Sequence, residues 1–236
     1  MKGSCLCRIF SRSSVYFYYW PIDLFIVFFS RPISPVLKEG NILARQKEFD
    51  ETEALQAAKE LFWAKGYEKT SLSDLLEAMH IHKKSFYDTF GNKRDLFIAA
   101  LQKYHDEVEA DMKEKVLHAD NGIEKIRAVF TSSLELDAGK NRGCLLINTA
   151  AENFEDDPEI QALILKWDKE LLSCFTAFLT EAKTEGLLSG TCDIKAQASL
   201  LENAFLGFRM QMKMHRTGKE LRNMIEQCIQ TYCPGG

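Results

Sequence analysis

The sequence predicts an all-α fold. From residue 50 onward, apolar residues recur at three- and four-residue steps, which is the period of an amphipathic helix. No strand-like alternation of apolar and polar residues appears there, and only two of the five prolines lie in this region. Glycines separate the helical segments instead, as residues that interrupt helices do. The fold is therefore expected to be a series of packed helices.

Composition describes an ordinary globular protein of 236 residues, with 46% hydrophobic and 27% charged residues. The net charge is −4, so no overall positive field draws the chain to nucleic acid, and such a partner would have to meet a local basic patch. The seven cysteines are an odd number without a paired C-x-x-C framework, which favours reduced thiols in a cytoplasmic protein.

Residues 1–45 differ from the rest and are predicted to be a non-native or disordered leader. The apolar run Val15–Phe29 has 15 residues, fewer than the roughly 20 needed to span a bilayer, and no membrane partner is expected. Basic residues precede the run, so a signal peptide is an alternative, although no small-x-small cleavage site follows. We favour translation beginning at Leu43, because Lys38-Glu39-Gly40 can be encoded by a bacterial ribosome-binding sequence and Leu43 by TTG. A weakly membrane-associated arm is the other interpretation.

Three helix starts can be identified in residues 46–97, the predicted DNA-binding domain. Asp50 opens the first helix, which Gly66 ends. Ser71 and Asp74 have the spacing of a capping box, and Asn92 opens a third, longer helix.

A short helix is predicted between the second and third starts. Phe86 and Phe90 stand four residues apart, so they share a face that packs onto the preceding helices. Lys83, Lys84 and Tyr87 are then left on the opposite face. Two helices joined by a short turn, the second with a polar outer face, match helix-turn-helix geometry.

The outer face of this short helix suits DNA. Residues 46–100 carry a net charge of −2, but residues 82–95 carry +2. Lysines can donate to guanine O6 and N7 or to phosphate, and free N–H groups at helix starts bind phosphate. The candidate contacts on this reasoning are Thr70, Ser71, Lys83, Lys84, Tyr87 and Lys93. The alternative is that the lysines form an ordinary solvated face.

The run KTSLSDLLEAMHIHKKSFYDTFGNKRDLF resembles the DNA-binding domain of the TetR/AcrR family of transcriptional regulators. The family positions are occupied by Ser85, Phe86, Tyr87, Phe90, Lys93 and Leu96. The resemblance implies an all-helical homodimer with a C-terminal ligand domain. It also implies that the protein represses transcription by binding double-stranded operator DNA and that a small molecule relieves this repression. By position it adds Ser85 to the DNA contacts. The chain departs from the family at His80, where glycine is usual, and at His82, where serine or threonine is usual.

Residues 98–233 are predicted to form a helical ligand-binding and dimerisation domain. The approximate helix bounds are 95–117, 122–138, 143–154, 158–186, 193–214 and 217–232. Asp157 and Pro158 supply a cap and a first-turn proline for the longest of these.

A small-molecule pocket is predicted around residues 141–154. Apolar residues with a few polar anchors are typical of such sites. The candidate lining residues are Cys144, Ile147, Asn148, Ala151 and Trp167. A well-packed core is the alternative interpretation.

Cys144 is also a candidate sensor of oxidants or electrophiles. It follows Arg142 near a predicted helix start, and both features favour a thiolate. The alternative is a small buried apolar residue.

The helix at 193–214 is apolar over more than one face, which favours a four-helix dimer interface; internal core is the alternative. Such a dimer would read a near-palindromic operator with half-sites about 34–36 Å apart. The sequence carries no nucleophile, phosphate-binding, metal or dinucleotide motif, so an enzyme, a metal site or a cofactor is not predicted. A non-enzymatic, protein-binding helical module is the alternative function.

Overall fold

The computed structural model describes residues 49–137, 140–152, 154, 157–214, 216 and 218–233. The predicted leader, residues 1–45, lies outside them. The described part contains nine α-helices and no strand, so the all-α prediction is confirmed there. The helices are α1 Glu51–Lys65, α2 Leu72–Met79, α3 Lys83–Phe90, α4 Lys93–Leu117, α5 Gly122–Asp137, α6 Leu145–Ala150, α7 Pro158–Thr184, α8 Ile194–Met212 and α9 Gly218–Tyr232. None of these helices is long and apolar enough to cross a membrane.

The predicted helix starts are confirmed by their caps. The Asp50 carboxylate accepts hydrogen bonds from the first turn of α1. Ser71 and Asp74 form the reciprocal capping box of α2, and the Asn92 side chain accepts from the Asp95 N–H at the start of α4. Each cap satisfies backbone donors that a helix start leaves without an intrahelical acceptor.

Helix α6 is much shorter than the predicted span of 143–154. Gly143 has a φ of +69°, which is incompatible with a right-handed helix, and Cys144 is extended at φ −105° and ψ 125°. The helix therefore begins only at Leu145 and ends at Ala150. The other C-terminal helices lie within two residues of their predicted bounds.

Helices α1 to α3 pack around the beginning of α4. Phe62, Phe86 and Leu96 are fully buried there, and the rings of Phe62 and Phe97 meet edge to face at 4.9 Å. The same apolar cluster continues past Tyr104 into the first residues of α6 and α7. The short α3 is thus placed by a core that also reaches the C-terminal helices.

A second aromatic cluster fills the space between α5, α7 and α8. The ring of Phe130 lies 6.1 Å from Phe175, 5.1 Å from Phe205 and 5.4 Å from Phe208. At the start of α5, a Cβ on Gly122 would lie only 2.1 Å from the Phe178 carbonyl oxygen. A glycine is therefore required for the close approach of α5 to α7.

Candidate nucleic-acid interface

Helix α3 is held from below by aromatic side chains. Phe86 is fully buried, Phe90 is half-buried, and their rings lie 6.2 Å apart. Lys83, Lys84 and Tyr87 are exposed on the outer side, as predicted from their spacing. An eight-residue helix is too short to be stable alone, so the buried rings provide the stabilisation that local hydrogen bonds lack.

The turn before α3 has a left-handed residue at its centre. His80 adopts φ 53° and ψ 39°, a conformation that histidine tolerates better than most non-glycine residues. The N–H of Ile81 bonds the carbonyl of Leu76 across the turn at 3.2 Å, and Ile81 is buried. His82 then opens α3 without a side-chain cap. The two departures from the family pattern are thus compatible with the predicted turn.

Two predicted phosphate contacts lie at helix starts near α3. Ser71 is exposed, and its hydroxyl accepts from the Asp74 N–H at 3.1 Å. Lys93 is half-buried at the first position of α4, where its Nζ sits 4.2 Å from the centroid of the Tyr67 ring. This cation–π contact fixes the direction of the lysine side chain at a helix N-terminus.

Thr70 corrects the predicted interface, because its side chain is not on the surface. Thr70 is fully buried, and its hydroxyl donates to the Gly66 carbonyl at 2.6 Å. The threonine therefore closes the turn between α1 and α2 and does not offer its hydroxyl to a phosphate.

Arg94 also differs from the sequence-based charge estimate, which counted it toward the basic face of residues 82–95. Its guanidinium instead binds the carboxylates of Asp157 and Glu159 at the start of α7, with N···O distances of 2.6 to 2.8 Å. The hydrogen bonds to Asp157, then those to Glu159, raise the pKa of Arg94 above its usual value. The local positive charge is consequently carried by Lys83, Lys84 and Lys93.

A second link joins α1–α2 to the segment after α6, and nothing in the sequence signalled it. The Glu152 carboxylate accepts hydrogen bonds from the N–H groups of Tyr67 at 3.1 Å and Glu68 at 3.0 Å. A Cβ on Gly66 would lie 2.7 Å from the Glu152 carboxylate. The turn that precedes α2 is therefore covered by a C-terminal side chain.

The five predicted pocket residues differ in burial. Cys144 and Trp167 are buried in the core, whereas Ala151 is exposed, contrary to its predicted position in the interior. The Asn148 amide donates to the Arg142 carbonyl and accepts from Lys213, so it ties α6 to the end of α8. Ile147 is half-buried against the core.

Ala151 lines an open groove of about 710 Å³. It runs between the end of α6 and the first turns of α7, and its walls include Thr149, Glu152, Phe154, Ile164 and Leu165. At the start of α6, Cys144 and Leu145 are buried in the core.

Cys144 lies in a buried polar cluster. The cation predicted to act on it, Arg142, is instead stacked over the Trp63 ring at 3.6 Å and paired with Glu60. The cation that interacts with Cys144 is instead Arg209. Arg209 is buried, and its Nη2 donates to the Tyr104 hydroxyl at 2.6 Å. Burial raises the pKa of Tyr104 well above its usual value, while the Arg209 charge acts to lower it and Cys144 to raise it.

The same buried residues shift the pKa of Arg209. Its own burial acts to lower its pKa, but Cys144, Tyr104 and Asp137 nearby leave the pKa raised overall. The interaction runs from α4 through Tyr104 to α8 through Arg209, with Cys144 between α5 and α6. Cys144 therefore lies next to side chains of both α4 and α8.

A short helix with an exposed basic face, preceded by two helices and followed by a long connecting helix, defines a helix-turn-helix transcription regulator. A model of bacterial regulatory proteins of the tetR family matches residues 54–100, and a model of the tetracyclin repressor-like C-terminal domain matches residues 122–228. The chain belongs to the TetR family of bacterial transcriptional regulators.

Individual relatives span most of the chain. The HTH-type transcriptional regulator YezE of Bacillus subtilis is 34% identical over 187 residues, which are 78% of this chain and 96% of YezE. The HTH-type transcriptional repressor ComR of Escherichia coli is 27% identical over 185 residues, 77% of this chain and 87% of ComR.

Solved structures share the fold. A cysteine variant of the TetR family regulator CifR, in complex with 26-base-pair operator DNA, has a TM-score of 0.72 at 24% identity and covers 79% of this chain and 98% of its own. Escherichia coli NemR in its reduced form has a TM-score of 0.63 at 22% identity, covering 75% and 93%.

Proposed function

We propose that the protein is a homodimeric repressor of transcription that binds a near-palindromic operator through α3. A small-molecule effector or modification of Cys144 then releases it. Residues 46–97 act as the DNA-binding domain and residues 98–233 as the effector-binding and dimerisation domain, in the cytoplasm and without catalytic activity. The observation that carries the proposal is the outward face of α3, where Lys83, Lys84 and Tyr87 are exposed above a buried Phe86.

Each contact has a distinct role in this proposal. Lys83, Lys84 and Ser85 read base edges in the major groove, where lysine pairs with guanine. Tyr87, Lys93 and Ser71 bind phosphates and fix the register of the helix. The names of ComR and NemR as repressors, and the operator DNA bound to CifR, support a DNA-binding repressor.

Dimerisation is proposed to use the outer face of α8. Ala196, Leu200, Asn203, Gly207 and Met210 are exposed there at alternating four- and three-residue steps. That spacing forms one seam along a helix, as in coiled coils. Gly207 has open space where a Cβ would stand, so the seam can admit a partner helix closely. A second copy would bury it and complete a four-helix interface with α9.

Release through Cys144 is proposed to act by overpacking. The thiol adds across the activated C=C bond of a quinone or unsaturated aldehyde, forming a C–S bond while the thiol proton ends on the acceptor. Since Cys144 is only 3% exposed, the added atoms have no room and must displace Tyr104 or Arg209. Extra volume in a filled core typically costs about 1–3 kcal/mol, which would shift a two-state balance by about 5- to 150-fold if only the DNA-binding state pays it.

DNA binding is tested with the promoter DNA beside the gene. Fluorescence anisotropy should show an affinity that falls steeply with added salt, because phosphate contacts release counterions. Tyr87→Phe should weaken binding to all sequences, whereas Lys84→Ala should relax the sequence preference. Lys169→Ala is the control, because it removes the same charge from an exposed position on α7. A wild-type protein without salt-dependent DNA binding would instead favour a protein-binding module.

The thiol route is tested separately with Cys144→Ser. This variant should bind the operator like wild type but remain bound when a quinone, an aldehyde or peroxide is added. Cys228→Ser, a half-buried thiol on α9, is the matched control and should be released like wild type. Normal release of Cys144→Ser would leave the small-molecule route as the only one in the proposal.

A further inference from the structure

The geometry points to a divalent transition-metal site on α4, which we propose is formed by His105, Asp106 and Glu109, with Glu170 of α7 behind the histidine. One ligand atom from each of the three α4 residues lies within 4.8 Å of the others. His105 and Glu109 are one helical turn apart, and Asp106 adjoins them at the rim of the cluster. This site lies apart from the proposed DNA-binding face and does not depend on that proposal.

The imidazole of His105 is held between two helices. It stacks on the indole of Trp167 at 4.5 Å between ring centroids and an interplanar angle of 13°. Its Nδ1 edge faces Asp106, 3.7 Å from Oδ1, and its Nε2 edge faces Glu170, 3.6 Å from Oε2. The ring is therefore oriented before any ion binds, which lowers the cost of assembling the site.

Glu170 lies behind the histidine, on the Nε2 side of the ring, where it can orient the imidazole. The residue is only 7% exposed, yet its Oε2 accepts no hydrogen bond within the described residues while it faces the imidazole. A buried carboxylate oxygen without a donor is costly. If Nε2 carries the proton toward Glu170, the Nδ1 lone pair points to Asp106 and Glu109. A carboxylate behind a ligating histidine is how metal sites fix the tautomer and raise ligand basicity.

The carboxylates of the cluster already contact other polar side chains, which a bound ion would have to replace. Lys113 forms an ion pair with Glu109, Lys166 lies 3.7 Å from Glu170, and Gln102 donates to Asp106 at 2.7 Å. The Lys113 side chain is 39% exposed, so it can turn to solvent when a cation replaces it. A doubly charged ion would compensate three neighbouring carboxylates more completely than two partly exposed lysines.

The donor set selects the class of ion. One imidazole nitrogen and two carboxylates suit borderline cations such as Zn²⁺, Co²⁺ and Ni²⁺. Mg²⁺ and Ca²⁺ prefer oxygen ligands alone. Water molecules would complete the coordination, since three protein ligands leave positions open.

The test is a titration of the full chain with Ni²⁺, followed by calorimetry and by tryptophan fluorescence. We expect one ion to bind per chain and the fluorescence of Trp167, stacked on the ligating histidine, to change. Trp167→Phe should remove that signal while keeping the ion, and Trp63→Phe should leave both unchanged. His105→Gln and Glu109→Gln should each weaken binding by at least 100-fold. Glu170→Gln should weaken it by about 10- to 100-fold, as expected for a group behind a ligand.

His118→Gln is the matched control, because this histidine is exposed at the end of the same helix. Circular dichroism of each variant ensures that the comparison is made between folded chains, and Glu109→Gln preserves the side-chain shape if His105→Gln does not fold. Wild-type affinity in folded His105→Gln and Glu109→Gln, or weaker binding only in His118→Gln, would overturn the site. Tighter binding of Mg²⁺ than of Ni²⁺ would also contradict it.

Discussion

Arg94 and Asp157 are joined by a two-point hydrogen bond, with Nε to Oδ2 at 2.6 Å and Nη2 to Oδ1 at 2.8 Å. Asp157 is at the same time the N-cap of α7, where its carboxylate accepts from the Ile160 N–H at 3.2 Å. Arg94 directly follows Lys93, a proposed phosphate contact at the start of α4. One carboxylate therefore connects the beginning of α7 to the edge of the proposed DNA-binding face.

The Arg94–Asp157 pair should make the free energy of unfolding depend on pH in the acid range. The hydrogen bond from Arg94 holds the pKa of Asp157 below its usual value. A lowered folded-state pKa adds stability above the unfolded-state pKa of about 3.9, and this stability is lost as pH falls through the folded-state value. Urea unfolding between pH 3 and 7 should show a difference between wild type and Asp157→Asn that is constant near neutrality and shrinks below about pH 4. Asp168→Asn, an exposed residue, should show no such change, and a pH-independent difference for Asp157→Asn would contradict the pairing.

Removing the ring of Phe86 should destroy the α3 platform. Phe86 is fully buried, so Phe86→Ala is expected to lower the free energy of unfolding by about 3–5 kcal/mol. Operator affinity measured well below the melting temperature should fall with it, because the lysines lose their support. Tyr87→Ala, on the exposed side, should instead weaken DNA binding with little change in stability. Equal stability losses in the two variants would mean that α3 is not held by its inner face.

His80→Gly should stabilise the protein. A non-glycine residue in the left-handed conformation costs about 1–2 kcal/mol, and part of this cost is regained because glycine removes the Cβ. The exposed His80 side chain has little packing to lose. Thermal unfolding should therefore show a rise for His80→Gly and a fall for His80→Val. His82→Gly, at an extended residue, should give no rise; a rise there as large as for His80→Gly would rule out the conformational cause.

Tyr104→Phe should lower the free energy of unfolding, because it removes a buried hydroxyl that accepts a hydrogen bond. The change leaves Arg209 without the acceptor that lies 2.6 Å from its Nη2, and a buried charged donor without a partner costs about 1–3 kcal/mol. Chemical denaturation should show this loss. Tyr87→Phe removes the same atom from an exposed ring and should leave the unfolding free energy unchanged. Stability of Tyr104→Phe equal to wild type would indicate that water or another group satisfies Arg209.

A charge on the outer face of α8 should separate the dimer. Leu200 is 45% exposed in the middle of the proposed seam. Leu200→Arg should therefore shift sedimentation toward the monomer and weaken operator binding. Leu187→Arg, an exposed leucine after α7 and away from the seam, should remain dimeric. Both variants sedimenting as dimers would place the interface elsewhere.

The local features of this fold could be predicted from sequence because their signals are short-range. The caps at Asp50, Ser71 and Asn92 and the two-sided character of α3 each depend on residues within one or two turns. The contacts between residues far apart in the sequence could not be predicted. Arg94 meets Asp157 at a separation of 63 positions, Tyr67 meets Glu152 at 85, and Tyr104 meets Arg209 at 105. A single sequence carries no information on which distant charges will pair.

The predicted pocket illustrates the same limit. Apolar residues with a few polar anchors around Cys144 predicted a pocket, but this pattern does not tell whether a buried side chain faces a void or neighbouring side chains. Here Tyr104 and Arg209 occupy the space. Ala151 was misplaced because α6 ends at Ala150, so Ala151 lies beyond the helical register on which the prediction depended.

The link between Arg94 and α7 also bears on the construction of hybrid regulators. Exchanging the proposed DNA-binding domain, residues 46–97, for that of another repressor would replace the proposed base contacts Lys83 and Lys84. The Arg94–Asp157 pair would survive the exchange only if the new head carried a cation opposite Asp157. Grafts without this cation would leave the N-cap carboxylate of α7 without its two-point partner and should be less stable.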